Sequence, residues 1–233
     1  MHIDDLYADI LDEDPFEDND NSKDDDYQWL FPIKGYESSK NIFFDNGTGF
    51  FVNNTGYFVT AGHVLKNTEL TYKAIINNLE LDFDVIFREY VSVKCQDSQS
   101  CNDLAICKIN IQKHVDHYFD TNYPINKMVH FSGYSRGIIN GIQINPIKIG
   151  DLYQQHCQGV DEKSIKPRIE DNRPICNNTR SLKLTEGLRY GGLSGGPVYD
   201  GKSVYGMLIG SEYILSEYII EKLHPLNIPF NTY

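Results

Sequence analysis

The stretch LRYGGLSGGPVYDG, residues 188–201, places four glycines around Ser194 and follows them directly with Pro197. Glycine permits positive φ angles and lets main-chain N–H groups come close to a bound group. A serine hydroxyl is a poor nucleophile unless a base takes its proton and donors bind the oxyanion that forms. We therefore predict Ser194 as a nucleophile, with the N–H groups of Gly192 and Ser194 as oxyanion donors. A glycine-rich hairpin loop without chemistry is the alternative.

Two other segments supply the groups that such a serine requires. The motif TAGH, residues 60–63, puts His63 directly after an apolar strand, where the chain turns into a short helix. The motif NDLAI, residues 102–106, puts Asp103 directly before a strand of buried character. An imidazole can accept the serine proton, and a carboxylate can orient the imidazole and stabilise its charged form. Asp97, in a polar loop, is a weaker candidate for this carboxylate.

The motifs TAGH, NDLAI and GLSGGP, in the order His63, Asp103, Ser194, resemble those of the chymotrypsin-like (trypsin-fold) serine proteases. The resemblance covers roughly residues 35–224 and is closer to bacterial and viral intracellular-type members than to digestive ones. It implies two six-stranded antiparallel β-barrels with the site at their interface. It also implies peptide-bond hydrolysis through an acyl-enzyme, with His63 as base and then acid and Asp103 as its orienting partner.

Two positions depart from the digestive members of that family. Leu193 stands where those members carry an aspartate that holds a newly cut N-terminus, so the same ion pair cannot form here. Val64 stands where they carry a cysteine directly after the histidine. The common disulfides of the family are therefore not expected, nor is activation by cutting at an N-terminal isoleucine.

The family's layout also indicates the residues of the primary specificity pocket. It puts Leu188 at the base of the pocket and Leu208 and Ile209 along its wall. An apolar base favours a medium-sized apolar residue at the cut over arginine or lysine.

Acidic residues are concentrated at one end of the chain. Residues 1–26 carry 12 of the 33 Asp and Glu residues and one lysine, so the rest of the chain is nearly neutral. No basic stripe is evident, which argues against nucleic acid as a partner. The segment is expected to be flexible and to regulate the protein or recruit a protein partner. Unchanged activity and binding after deletion of residues 1–26 would argue against that role.

Composition and cysteine usage predict the setting in which the protein works. No apolar run is long enough for a membrane span, and the first residues lack the pattern of a secretory signal. We therefore expect a cytoplasmic location with reduced thiols. Whether Cys95 and Cys101 are bridged stays open. His114 and His117 have no evident third ligand, so we expect no metal ion and no cofactor.

Short aromatic and β-branched runs separated by turn residues predict an all-β chain, either a sandwich or a pair of barrels. We predict a flexible segment over residues 1–26, a first barrel over 27–115 and a second barrel over 116–233. Residues 150–180 are predicted to form a long irregular loop. Residues 211–224 show a helical stripe that Pro225 ends, which predicts a C-terminal helix.

Three functions compete on these observations. The leading one is an active serine endopeptidase that acts on protein or peptide substrates and is regulated by or works with a partner. The second is a catalytically silent module of the same fold that serves as a scaffold or binding domain. The third is a non-proteolytic acyl hydrolase. The sequence has no apolar stretch of the size of a lipid that would favour it.

Overall fold

Runs of aromatic and β-branched residues form two main, largely antiparallel β-sheets, and a short helix follows them near the C-terminal end. A computed structural model describes residues 29–37, 42–90, 103–122, 128–134, 138–139, 142–143, 152–158, 179–181, 183–184, 192–209 and 212–232. The sequence predictions also concern four features that lie outside the described residues: the acidic segment 1–26, Asp97, Leu188 and the pair Cys95 and Cys101. Among the described residues, no helix combines the length and the apolar character needed to cross a lipid bilayer.

Within the described residues, the first sheet consists of seven strands: β1 (Leu30–Glu37), β2 (Ile42–Phe51), β3 (Tyr57–Thr60), β4 (Thr71–Ile76), β5 (Leu79–Leu81), β6 (Asp84–Glu89) and β7 (Leu104–Lys108). They lie in the order β5-β4-β1-β2-β3-β7-β6. Asn77 and Asn78 connect β4 to β5 with φ angles of 51° and 62°, as a tight hairpin turn of the left-handed type requires.

Phenylalanine side chains hold the first three strands together. The ring of Phe31 on β1 lies 4.8 Å from that of Phe51 on β2 and 4.9 Å from that of Phe58 on β3, measured between centroids. All three rings are buried, and the tilted and edge-on arrangements are those that aromatic pairs prefer. This packing fixes the direction of β3, whose end leads directly to His63.

In the part of the chain that the structure describes, the second sheet contains eight strands: β8 (Tyr118–Phe119), β9 (Met128–Tyr134), β12 (Leu152–Gln158), β13 (Thr179–Ser181), β14 (Lys183–Leu184), β15 (Pro197–Asp200), β16 (Ser203–Ile209) and β17 (Glu212–Leu215). The main order is β13-β17-β16-β15-β9-β12-β14, and β8 pairs in parallel with β16. Strands β10 (Ile138–Ile139) and β11 (Ile142–Gln143) form a separate two-stranded ladder. Each main sheet thus has more strand segments than the six predicted per barrel, and the predicted all-β class is confirmed.

The C-terminal helix is shorter than the sequence predicts. Helix α1 spans Ser216–Leu223 and buries Tyr218, Ile219 and Leu223, but Glu212–Leu215 belongs to strand β17. In β17, Tyr213 and Ile214 are consecutive and both buried, because the second sheet packs against apolar residues on both faces. An apolar run buried on both faces has no alternation, so the sequence could not separate it from the helical stripe that follows.

The prediction of an irregular loop over residues 150–180 is wrong at its start. Strand β12 pairs with β9 along seven residues, from Leu152 opposite Tyr134 to Gln158 opposite Met128. The sequence of β12, LYQQHCQ, is mostly polar and lacks the apolar alternation that identifies a half-buried strand. Pairing with β9, which is distant along the chain, is what makes this segment a strand.

Candidate active site

His63 lies where strand β3 ends and a single 3-10 turn, Gly62–Leu65, begins. Val64 and Leu65 are buried, and they anchor the turn in the larger hydrophobic cluster, which also contains Phe31 and Phe58. Gly62 permits the close approach of the end of β6, because a Cβ atom there would overlap the carbonyl oxygen of Glu89. The residues around His63 therefore fix its backbone, while its own side chain remains 30% exposed.

Asp103 contacts His63 through both of its carboxylate oxygens. Oδ1 accepts the main-chain N–H of His63 at 2.7 Å, and Oδ2 lies 2.5 Å from the ring Nδ1. The Asp103 side chain is 12% exposed, since it sits at the start of the buried strand β7. A carboxylate only accepts hydrogen bonds, so in the neutral imidazole this contact places the ring proton on Nδ1 and leaves the lone pair on Nε2. That is the tautomer in which an imidazole can act as a base.

Tyr90 is a neighbour of this pair that the sequence did not identify. Its ring centroid lies 6.2 Å from that of His63. Burial raises the pKa of the Tyr90 hydroxyl, and the negative charge of Asp103 raises it further. Tyr90 thus flanks the imidazole as a neutral ring with a hydroxyl group. The sequence gives no signal for it, because it lies 13 residues before Asp103 with no motif around it.

The serine loop is fixed by main-chain hydrogen bonds to β16. Gly195 donates its N–H to the Leu208 carbonyl oxygen at 2.8 Å, and Leu208 donates its own N–H to Gly196 at 2.7 Å. Gly196 closes the turn by donating to the carbonyl oxygen of Leu193 at 3.0 Å. Gly192 and Gly195 have φ angles of 94° and 92°, which side-chain-bearing residues rarely adopt. The glycines are therefore needed for the backbone shape of the loop.

The same loop lies against the strand end that leads to His63. A Cβ atom on Gly195 would overlap the Thr48 carbonyl oxygen and Thr60 Oγ1, and it would lie 3.1 Å from the Ala61 nitrogen. Thr48 also donates its main-chain N–H to the Ser194 carbonyl oxygen at 2.9 Å. The structure thus brings the residue that follows Ser194 into contact with residues two and three positions before His63.

The N–H groups of Gly192 and Ser194 differ from the other amides of the loop. Those of Gly195 and Gly196 are satisfied within the protein, as described above. The N–H groups of Gly192 and Ser194 have no hydrogen-bond partner within the described ranges. Ser194 is partly exposed, whereas the neighbouring residues Gly192 and Gly195 are buried. Free donors beside an accessible hydroxyl are what binding of an oxyanion requires.

Leu193, which directly precedes Ser194, supports the serine loop by hydrophobic packing. Its side chain is buried in the core of the second sheet, where it belongs to the cluster Val129, Phe131, Leu193, Val198, Tyr205, Leu208 and Tyr213. Burial of an apolar side chain of this size stabilises a protein by about 1.5–3 kcal/mol. The loop is therefore anchored by hydrophobic packing of the residue next to Ser194, which the sequence alone did not predict.

The predicted pocket residues are only partly described. Leu208 is adjacent to the serine loop through its main chain, but its side chain is buried in the same cluster as Leu193. Ile209, the next residue on β16, is half-buried and packs against the larger cluster that contains Val64 and Leu65. Their role toward a substrate stays a prediction, and Leu188 lies outside the described residues.

Comparison with known proteins gives similarity of fold. No protein-family model and no curated protein matches the sequence. Among solved structures, the active form of the Rv3671c protease from M. tuberculosis is similar, with a TM-score of 0.58 and 15% identity, over 88% of this chain and 84% of that chain. The scabies mite inactivated protease paralogue S-D1 is also similar, with a TM-score of 0.60 and 15% identity, over 87% of this chain and 93% of that one. The scabies mite inactivated protease paralogue S-I1 gives a TM-score of 0.60 and 12% identity, over 86% and 94%. The chain therefore has the chymotrypsin-like trypsin fold, which both an active protease and inactivated paralogues share.

Proposed function

We propose that this chain is a serine endopeptidase that hydrolyses peptide bonds of protein or peptide substrates. The observation that carries the proposal is the two-oxygen contact of Asp103 with the main-chain N–H and the ring Nδ1 of His63. The docking of the Ser194 loop onto the strand end before His63 supports it. An orienting carboxylate, a base and a serine loop with free amides are the parts that nucleophilic acyl transfer needs.

In the proposed reaction, the Ser194 Oγ attacks the carbonyl carbon of the scissile peptide while His63 Nε2 takes the hydroxyl proton. The negative charge that develops on the carbonyl oxygen is bound by the N–H groups of Gly192 and Ser194. His63 then gives its proton to the leaving amine, which leaves an acyl-enzyme on Ser194. Water, deprotonated by His63, releases the second product and restores the serine. Asp103 stabilises the imidazolium that forms in each half of the cycle.

For specificity, we propose that Leu188 and Ile209 favour a medium-sized apolar residue on the amino side of the cut. Cleavage of a diverse peptide library, read by mass spectrometry, is expected to show valine, leucine or methionine enriched at that position. Discrimination of about 10- to 200-fold per methylene is the range that an apolar pocket provides. A strong preference for arginine or lysine would contradict this pocket.

A catalytically silent module is the second candidate, because two of the similar structures are named as inactivated protease paralogues. The two candidates differ in what a reactive probe does. A fluorophosphonate reacts with a serine only where a base and oxyanion donors activate it. It therefore reports the activated serine without knowledge of the substrate.

We expect the intact protein to be labelled by a fluorophosphonate at Ser194, as identified by mass spectrometry of the modified peptide. Ser194→Ala and His63→Ala are expected to lose the label. Ser203→Ala, which removes a hydroxyl on β16 that contacts Tyr118, is the matched control and should be labelled like the unaltered protein. If the unaltered protein takes no label while it remains folded, the silent module becomes the better account.

A further inference from the structure

Thr48, on strand β2, is a fully buried residue that joins the two sheets at the serine loop. Its side chain Oγ1 lies 3.1 Å from the Gly192 carbonyl oxygen, and its main-chain N–H donates to the carbonyl oxygen of Ser194 at 2.9 Å. Thr48 therefore binds the carbonyl groups of both Gly192 and Ser194. The N–H groups of these same two residues are the proposed oxyanion donors. The motif GTGFFV contains Thr48, but nothing in the sequence connects it to the loop 144 residues later.

The hydrogen-bond directions at the Thr48 hydroxyl follow from its partners. The main-chain N–H of Tyr134, on β9, donates to Oγ1 at 2.8 Å, so the hydroxyl is an acceptor there. A hydroxyl has a single proton, and the Gly192 carbonyl can only accept. The proton of Thr48 must therefore point at Gly192. Serine could make both bonds, whereas valine, of the same shape, could make neither.

Neighbouring residues bind the main chain of Thr48 and leave space for its hydroxyl. Its main-chain carbonyl accepts the hydroxyl of Thr60 at 2.7 Å, which ties it to the strand end before His63. Gly133 on β9 allows close approach, because a Cβ atom there would lie 2.8 Å from Thr48 Oγ1 and 3.2 Å from the Leu193 Cα. Thr48 thus contacts the segment that bears the base and the loop that bears the nucleophile.

The hydrogen bond from Thr48 to Gly192 matters because of the backbone conformation of Gly192. A glycine at a φ of 94° has no side chain to oppose rotation of its peptide groups. Gly192 also makes no other hydrogen bond within the part of the chain that the structure describes. The Gly192 carbonyl belongs to the Gly192–Leu193 peptide unit, which lies between the units that carry the N–H groups of Gly192 and Ser194. Rotation of this unit would change how the two N–H groups are directed relative to each other. An oxyanion donor acts in the transition state and has little effect on binding of the uncharged substrate.

We propose that the hydroxyl of Thr48 is a positioning group. It holds the Gly192–Leu193 peptide unit, and through it the N–H groups of Gly192 and Ser194 on either side, in the arrangement needed for oxyanion binding. This inference rests on the proposed endopeptidase function. Removing one oxyanion donor outright costs about 10²- to 10³-fold in kcat, which sets the upper limit of the effect. Loss of a group that only positions the donor is expected to cost about 10- to 100-fold, with KM changed by less than about threefold.

The test compares Thr48→Val and Thr48→Ser with the unaltered protein in two measurements. In peptide hydrolysis, Thr48→Val is expected to lower kcat by about 10- to 100-fold with KM nearly unchanged, and Thr48→Ser should restore kcat to within about threefold. In amide hydrogen exchange, the peptide that covers residues 192–196 is expected to exchange faster in Thr48→Val and at the original rate in Thr48→Ser. Ser216→Ala is the matched control, because it removes another fully buried hydroxyl, bonded to Val204, in the C-terminal helix.

Each outcome separates this inference from the proposed function. Unchanged exchange at residues 192–196 in Thr48→Val overturns the inference, even if the unaltered protein proves inactive. Faster exchange with unchanged kcat also overturns it, because the hydroxyl would then hold the loop without affecting catalysis. Absence of activity in the unaltered protein counts against the proposed function alone, and the exchange result still decides the positioning role. If Thr48→Val does not fold, Thr48→Cys replaces it, because a thiol is a weak donor and acceptor and should give an intermediate loss.

Discussion

Replacement of Ser194 by alanine is expected to lower kcat for peptide hydrolysis by up to about 10⁶-fold. The proposed reaction depends on a covalent bond from Ser194 Oγ to the substrate carbonyl carbon, and alanine cannot form it. Substrate binding should persist, because the glycine loop and its amides remain. Progress curves at substrate concentrations well above KM, on protein purified to exclude contaminating proteases, measure the loss. The circular dichroism spectrum and Tm should be unchanged.

The double variant Ser194→Ala/His63→Ala sharpens this test. If the two side chains act as one unit, the double variant is expected to be no slower than Ser194→Ala alone, because the base has no role without the nucleophile. Ser203→Ala serves again as the control that removes a serine hydroxyl outside the site and should keep full activity. Full activity of Ser194→Ala would mean that another group is the nucleophile, and the assignment of the site would be lost.

The sequence predicted the fold class, and it singled out three candidate residues because each lies in a local motif; their catalytic role stays a prediction. His63 follows a strand end, Asp103 precedes a buried strand, and Ser194 lies among glycines, and all of these are patterns of adjacent residues. The contact between His63 and Asp103 spans 40 residues and is made by β3 pairing directly with β7. No local pattern shows this long-range pairing. It was predicted from the order of the motifs, which matches that of a known family.

What the sequence did not predict depends on contacts between distant segments. Strand β12 has a polar sequence and is defined by its pairing with β9, and the first part of the expected C-terminal helix is a strand buried on both faces. Thr48 and Leu193 gave no signal as supports of the serine loop, because their partners lie on other strands. Local periodicity reports the exposure of one segment, so it cannot report which other segment covers it.

Asp103→Asn is expected to lower kcat by about 10⁴-fold while the fold is retained. Asparagine has nearly the same shape as aspartate but carries one oxygen and one NH₂ group. The main-chain N–H of His63 can only donate, so the asparagine oxygen must take the place of Oδ1, and the NH₂ group must face Nδ1 of the ring. Nδ1 then has to accept, and the ring proton moves to Nε2.

An imidazole in that tautomer cannot take the proton of Ser194, although every heavy atom is in its original place. The expected signature is therefore a large loss in kcat and in the rate of fluorophosphonate labelling, with KM and Tm close to those of the unaltered protein. Asp116→Asn, which removes a carboxylate paired with Lys202 away from the site, is the matched control and should keep its activity. A loss in Asp103→Asn of less than about tenfold would mean that the carboxylate does not set the tautomer of His63, and His63 would then need another partner to act as the base.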